Sequence, residues 1–175
     1  EEGGVSMERI DDAVRRILRL KHRVGLFEQP HTFAKDYPKF GSEEFAAYSR
    51  QAALESIVLL KNDSVDSQSR LLPIKQGTRL LVCGPNANSM RTLNGGWSYT
   101  WQGDGADREE FTGHFNTIYE ALRNKFGSNH VTLVEGVSYD SKRWAMDHAD
   151  NIGDAVAAAA DNDYVIVCIG ENTYA

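Results

Sequence analysis

The stretch from Leu93 to Asp104 reads L-N-G-G-W-S-Y-T-W-Q-G-D and holds residue types well suited to binding a sugar. Its two tryptophans, Trp97 and Trp101, stand among glycines and short polar side chains, in a spacing that fits neither a strand nor a core helix. Flat indole rings can stack on the C–H face of a sugar, while amides, hydroxyls and carboxylates bind its hydroxyl groups. Tryptophan is also enriched at interfaces, so the local pattern equally allows a contact between domains.

The composition narrows the classes of partner. The 175 residues are 41% hydrophobic and 25% charged with a net charge of -6, which is ordinary for a globular protein and argues against nucleic acid. We expect no membrane insertion, because no apolar run is long enough to span a bilayer. The chain does not open with a signal-peptide pattern, which leaves either a cytoplasmic protein or an internal piece of a longer chain.

Cofactor and metal motifs are missing from the sequence. The five histidines are scattered without a ligand spacing, so we expect no metal site. The turn that begins at Gly84 reads G-P-N-A-N and lacks both the dinucleotide fingerprint and the P-loop ending, so we expect no cofactor. Cys83 and Cys168 fall in apolar strands, where free buried cysteine is favoured over a disulfide.

The elements that must position the tryptophan stretch alternate between strands and helices. Short, nearly continuous runs of Val, Ile and Leu predict parallel strands covered on both faces, and hence an α/β fold with a parallel sheet. The predicted strands are Arg79–Cys83, Val131–Val134 and Tyr164–Ile169, and the predicted helices between them are Thr117–Phe126 and Ile152–Ala160.

The first part of the chain has a different organisation. An amphipathic helix is predicted over Ser6–Val24, with Ser6 as its cap and Gly25 as its stop. Gln29–Gly41 carries two prolines and no period, which predicts an extended linker. Ser42 caps a second helix, and this helix leads into I-V-L-L-K, predicted as a buried strand from Ile57 to Lys61.

Ligands of open parallel sheets bind at the carboxyl ends of the strands. The turn at Gly84, the tryptophan stretch and the segment G-E-N-T-Y-A after Ile169 all follow such ends. We therefore expect the tryptophan stretch and G-E-N-T-Y-A to lie at the same edge of the sheet, which favours a binding site.

Several ordered motifs resemble glycoside hydrolase family 3. They are E-R-I-D-D-A-V-R-R-I-L-R-L-K with G-L-F, S-R-Q-A-A-L-E-S-I-V-L-L-K-N-D, L-L-P-I, N-G-G-W-S-Y-T-W-Q-G and G-E-N-T-Y-A, and they run from about Glu8 to Ala175. The resemblance implies that residues 1–28 form the closing helix of a (β/α) barrel and residues 29–41 an interdomain linker. Residues 42–175 would then be the first part of a three-layer α/β sandwich, here incomplete.

The family also implies how the catalytic groups are divided. Its barrel carries an aspartate nucleophile, which would lie upstream of this sequence, and its sandwich supplies a glutamate acid/base. In members whose motif reads G-E-x-x-Y-x-E the second glutamate is that acid/base, so here it is expected just after Ala175. The chain would contain neither catalytic carboxylate. Glu171 and Tyr174 would shape the loop, and Gln102 and Asp104 would do so in the tryptophan stretch, although plain turn chemistry remains an alternative for the last two.

The resemblance thus implies part of a retaining, exo-acting β-glycosidase, a β-glucosidase, acting on β-linked oligosaccharides or glycosides. Trp97 and Trp101 would hold the sugar in the cleft against the barrel domain, and the parent would be periplasmic or secreted. The alternatives are a non-catalytic carbohydrate-binding or scaffolding α/β module and a small nucleotide-binding protein. The residue after Ala175 distinguishes the module from the enzyme.

Overall fold

A computed structural model of the chain describes residues 3–64, 70–107, 115–140, 146–149 and 151–173. The chain divides into two compact units, Glu1–Lys61 and Asn62–Ala175. None of the helices in these described ranges is long and apolar enough to cross a lipid bilayer.

The first unit contains the two predicted helices. Helix α1 spans Met7–Arg23 and begins where the Ser6 side chain accepts a hydrogen bond from the Arg9 amide. Helix α2 spans Glu43–Ser56 and is capped in the same way by Ser42. Both caps confirm the sequence prediction, because a serine oxygen satisfies an amide that has no partner inside the helix. The predicted linker is not wholly extended, since Ala34–Asp36 forms a short 3₁₀ helix.

The predicted buried strand at Ile57–Lys61 is wrong. The chain leaves α2 in an extended conformation at Ile57, but no strand of the described residues pairs with it. Its apolar side chains are exposed, Leu60 to 92%. Apolar composition shows that a segment gains from burial, but burial also requires a neighbouring strand or layer.

The second unit is built on a parallel sheet, as predicted. Strand β1 (Leu80–Cys83) lies between β2 (Val131–Leu133) and β5 (Tyr164–Val167), and both neighbours run parallel to it. A separate antiparallel pair joins β3 (Ser138–Tyr139) to β4 (Asp147–His148), which the sequence did not indicate. Leu80, Leu81 and Val82 are fully buried, which identifies β1 as the centre of the core.

Helices cover the two faces of this sheet and make it an α/β sandwich. Helix α3 (Met90–Leu93) follows β1, helix α4 (Ile118–Phe126) packs beside Leu80 and Val82, and helix α5 (Ile152–Ala159) contacts β1 from the other face. The bounds of α4 agree with the predicted helix Thr117–Phe126. At its start Thr117 forms a capping box with Glu120, and at its end Gly127 has a positive φ of 94°.

The helices do not cover both faces of β5 completely. The sequence predicted that this strand is buried on both faces, but Val165 is 45% exposed and Val167 is 59% exposed. This prediction is therefore wrong for one face. A cleft of about 490 Å³ lies there, between β5 and the apolar side of α5.

Candidate functional site

The loops after β1 and β5 meet at the carboxyl edge of the sheet. The Cys168 amide donates to the Cys83 carbonyl at 2.7 Å, and the Asn86 amide donates to the Cys168 carbonyl at 3.2 Å. Gly84 makes this approach possible, because a Cβ at that position would lie 2.3 Å from the Cys168 carbonyl oxygen. Its φ of +93° is also one that residues with side chains rarely adopt.

The segment that follows β5, Gly170–Thr173, is held by side chains from elsewhere in the unit. The Tyr139 hydroxyl lies 2.9 Å from the Gly170 carbonyl oxygen and 2.7 Å from Asn86 Oδ1. Arg91 Nε donates to Thr173 Oγ1 at 3.1 Å. Asn172 and Thr173 are each only 6% exposed. The path of this segment is therefore defined by contacts on both sides.

The tryptophan loop, Asn94–Asp107, leaves α3 at the same edge. Because Arg91 of α3 reaches Thr173, the beginning of this loop and the segment after β5 adjoin, as the sequence predicted. The loop is closed on itself, since the Trp97 amide donates to the Trp101 carbonyl at 2.8 Å. Trp97 has a φ of 66° and Tyr99 a φ of 42°, values that are costly for residues with a Cβ and that often occur at ligand sites.

The two indole rings form an open pair. Their centroids are 5.9 Å apart and their planes are tilted by 46°. Trp97 is 80% exposed and Trp101 is 63% exposed, so the rings do not fill the core of this unit. A pair of exposed aromatic faces on a polar loop can stack on a sugar ring.

The second half of the loop is braced by Thr100. The Thr100 hydroxyl donates to Asp104 Oδ1 at 3.0 Å and accepts from the Gly105 amide at 3.2 Å. Asp104 thus contacts the loop itself, which is consistent with the shaping role expected of it. Gln102 is half-buried in the same loop.

The remaining predicted residues belong to the segment after β5. Glu171 is exposed at the start of that segment. Tyr174 and Ala175 lie outside the described residues.

Burial and, to a lesser extent, nearby negative charges favour the protonated form of Tyr139 by raising the pKa of its hydroxyl. Burial raises the pKa of the Tyr139 hydroxyl, and the negative charges of Asp147 and Glu171 raise it further. A neutral hydroxyl keeps its proton available for the Gly170 carbonyl or for Asn86. Tyr139 therefore acts as a stable hydrogen-bonding link across neutral pH.

The two cysteines are free and buried, as the sequence favoured. Cys168 packs with Leu80 and Val82, whereas Cys83 follows Val82 in the strand and lines the cleft on the opposite face. Burial raises the pKa of both thiols. Neutral thiols on opposite faces of a sheet are suited neither to a disulfide nor to nucleophilic catalysis.

The cleft beside β5 has the wrong chemistry for a sugar. Apolar side chains line most of it, including those of Val156, Val165, Val167 and Ile169. A sugar site needs polar groups that converge on its hydroxyls, so the strand-end loops are the better candidate. Within the described ranges, no group of three His, Cys, Asp or Glu side chains is placed to hold a metal ion.

Sequence reasoning missed the residues that hold this site together: Asn86, Arg91, Asp107 and Tyr139. Asn86 had a signal, because it follows the glycine turn at the end of β1. No local sequence pattern pointed to Arg91 or Tyr139, because their partners are distant in the chain. Arg91 contacts a residue 82 positions away, and Tyr139 contacts one 31 positions away. Asp107 accepts from the Arg91 amide at 2.8 Å and closes the base of the tryptophan loop.

Comparison with known families gives a direct match. The sequence model described as "Glycosyl hydrolase family 3 C-terminal domain" matches residues 57–175. Among similar proteins, "Lysosomal beta glucosidase" of Dictyostelium discoideum is 32% identical over 97% of this chain and 20% of its own length. "Periplasmic beta-glucosidase" of Salmonella typhimurium is 26% identical over 98% of this chain and 24% of its own length.

Solved structures give the same likeness. An exo-1,3/1,4-beta-glucanase from a Pseudoalteromonas species superposes with a TM-score of 0.65 and 33% identity, over 99% of this chain and 19% of that one. A beta-glucosidase from Listeria innocua in complex with gluconolactone gives a TM-score of 0.65 at 29% identity, over 98% of this chain and 21% of that one. The chain thus spans about a fifth of the length of these two structures.

Proposed function

Since the chain belongs to glycoside hydrolase family 3 through its C-terminal domain, we propose that it supplies one wall of the active site of a retaining, exo-acting β-glucosidase. Residues 1–28 would close the barrel domain of that enzyme, residues 29–41 would link the domains, and residues 42–175 would begin the α/β sandwich. The substrate would be a β-linked oligosaccharide or glycoside, bound between this domain and the barrel.

The observation that carries this proposal is the convergence at one sheet edge. An exposed pair of tryptophans stands on a loop whose base is tied through Arg91 to the segment Gly170–Thr173. In the proposed enzyme this segment leads directly to the acid/base glutamate, expected just after Ala175. Sugar stacking and proton transfer would then be organised by the same edge.

The chemistry requires two carboxylates. An aspartate of the barrel would attack the anomeric carbon while the glutamate protonates the departing oxygen, and the glutamate would then activate water to release the sugar. Retaining enzymes hold these carboxyl groups about 5–5.5 Å apart. The present chain would contribute neither group, so we expect it to be inactive alone.

The test is replacement of Trp101 by Ala in the full-length enzyme. Loss of an aromatic surface that covers the sugar removes about 1.5–3 kcal/mol of binding, which corresponds to about a 10- to 150-fold fall in kcat/KM for an aryl β-glucoside. Trp101→Phe keeps a flat ring and should retain part of the activity. Val156→Ala, an exposed apolar change on α5, is the control and should have no effect. An unchanged kcat/KM for Trp101→Ala would remove this residue from the site.

A non-catalytic module that only binds sugar would give a different result. It would lose sugar binding on Trp101→Ala, but the full-length protein would show no turnover.

We also propose that the parent is periplasmic or secreted, with support from the Salmonella typhimurium relative named as periplasmic. The Dictyostelium discoideum relative is named as lysosomal. Cell fractionation of the parent tests this.

A further inference from the structure

The segment Gly170–Thr173 has no regular secondary structure. It is outside any strand or helix, although Asn172 and Thr173 are buried. The Thr173 amide donates to Asn172 Oδ1 at 2.9 Å. Groups from other parts of the fold also contact the segment and help to define its placement.

Two such contacts stand at its two ends. At the start, the Tyr139 hydroxyl lies 2.9 Å from the Gly170 carbonyl oxygen. At the end, Arg91 Nε donates to Thr173 Oγ1 at 3.1 Å. The Tyr139 hydroxyl belongs to β3 and the Arg91 guanidinium to α3, so the segment is fixed between two independent parts of the fold.

Arg91 is itself held in place by the tryptophan loop. Its amide donates to Asp107 Oδ1 at 2.8 Å, and Asp107 also contacts the Ser89 hydroxyl at 3.3 Å. Asp107 ends the loop that carries Trp97 and Trp101. Arg91 thus connects two parts of the site. Its amide binds the base of the tryptophan loop, and its side chain binds Thr173.

We propose that Arg91 and Tyr139 are positioning residues for the acid/base glutamate, an inference that rests on the proposed function. In this role they act through the segment Gly170–Thr173, which their side chains contact, and not on the substrate directly. They hold in place the segment that leads to the glutamate. Arg91 also contacts the base of the tryptophan loop, so it fixes the segment relative to that loop. An acid/base must reach the departing oxygen within hydrogen-bond distance, and a displacement of about 1 Å can cost about 100-fold in rate.

Leaving-group dependence is the readout that separates positioning from general structure. A dinitrophenyl β-glucoside has a leaving group that departs without a proton, whereas an alkyl β-glucoside needs protonation of its oxygen. The value of kcat/KM reports only the steps up to cleavage of this bond. A misplaced acid therefore lowers kcat/KM for the alkyl glucoside and leaves that for the dinitrophenyl glucoside nearly unchanged.

The variants are made in the full-length enzyme. Arg91→Met keeps the aliphatic stem and removes the donor, and Thr173→Val keeps the shape and removes the acceptor. We expect each to lower kcat/KM for the alkyl glucoside about 10- to 100-fold and for the dinitrophenyl glucoside less than about 3-fold. Because they break the same hydrogen bond, the double variant should be little worse than either single one. Tyr139→Phe should show the same selectivity.

Matched controls come from residues outside the site. Arg123→Met removes an exposed guanidinium that lies over the Tyr119 ring on α4. Tyr164→Phe removes a hydroxyl at the opposite end of β5. Neither should change the ratio of the two kcat/KM values. Should Arg91→Met fail to fold, Thr173→Val alone tests the same bond.

The outcomes are distinct. Equal losses for both substrates, or no loss for either, would overturn the positioning role while leaving the proposed function intact. Replacing the proposed acid/base glutamate of the full-length enzyme by Gln should itself produce the strong leaving-group dependence. If it does not, or if the native enzyme hydrolyses neither substrate, the proposed function fails and the positioning role fails with it.

Discussion

Replacing Gly84 by Ala should destabilise the sandwich domain, because this glycine lets the ends of β1 and β5 approach. Its φ of +93° costs a residue with a Cβ about 1–2 kcal/mol. The new Cβ would also lie 2.3 Å from the Cys168 carbonyl oxygen and 2.9 Å from its carbon. Both are backbone atoms that cannot turn aside, so overpacking adds about 1–3 kcal/mol.

The expected loss is therefore about 2–5 kcal/mol, a large part of the stability of one domain. For a domain of 150–250 residues this lowers Tm by about 4–20 °C. The assay is differential scanning calorimetry of the full-length parent, with the transition of the sandwich domain followed.

Gly77→Ala is the matched control. Gly77 has a similar φ of +80°, but nothing lies within 4 Å of the position that its Cβ would occupy. Gly77→Ala should lower the free energy of unfolding only by the cost of the positive φ, about 1–2 kcal/mol. Equal shifts in Tm for Gly84→Ala and Gly77→Ala would refute the argument, since the contact with Cys168 would then carry no cost.

Two further predictions concern stability. Thr117→Ala removes the cap of α4 and the donor of the 2.8 Å hydrogen bond to Asn88, so we expect a loss of about 1–2 kcal/mol in chemical denaturation; an unchanged midpoint would contradict the capping role. Asp163→Asn should lower Tm at pH 7, because hydrogen bonds from Arg79 hold the pKa of Asp163 below its ordinary value of 3.8. The carboxylate stabilises the fold above that value and ceases to do so as the pH falls through the lowered pKa, so the difference in Tm between the two proteins should vanish in acid. A difference that persists unchanged to the lowest pH would rule out the ion pair as its cause.

Helices α1, α2 and α4 could be predicted from sequence because their signals are local, whereas the short helix α3 (Met90–Leu93) was not predicted. Ser6, Ser42 and Thr117 each sit next to the amides that they satisfy, and Gly127 supplies a positive φ at the end of α4. The central strand β1 was also predicted correctly, from a short apolar run that ends at the turn beginning with Gly84.

Strand environment was less predictable, because it depends on neighbours that are distant in sequence. The residues of β5 are apolar on both sides, so the sequence shows no alternation that would reveal the exposed face of Val165 and Val167. Ile57–Lys61 is equally apolar and has no paired strand among the described residues. Apolar character alone cannot distinguish these cases.

The candidate site was predictable in location but not in its connections. The rule for parallel sheets brought the tryptophan stretch and the segment after β5 to one edge. The bond between Arg91 and Thr173 joins residues 82 positions apart, and no pattern in either stretch indicates it. Such a contact follows from the packed fold rather than from local sequence.

The position of β1 between two later strands has a consequence during synthesis. Arg79, next to β1, forms a hydrogen bond with Asp163, next to β5, which lies 84 positions later in the chain. At about 5–20 residues per second, a ribosome needs roughly 4–17 s to make that intervening stretch. Throughout this interval β1, which is fully buried from Leu80 to Val82 in the folded unit, has an unpaired edge, and long-range parallel pairing is slow even once β5 emerges. The sheet edge that carries the candidate site therefore cannot form on a nascent chain until β5 has been made.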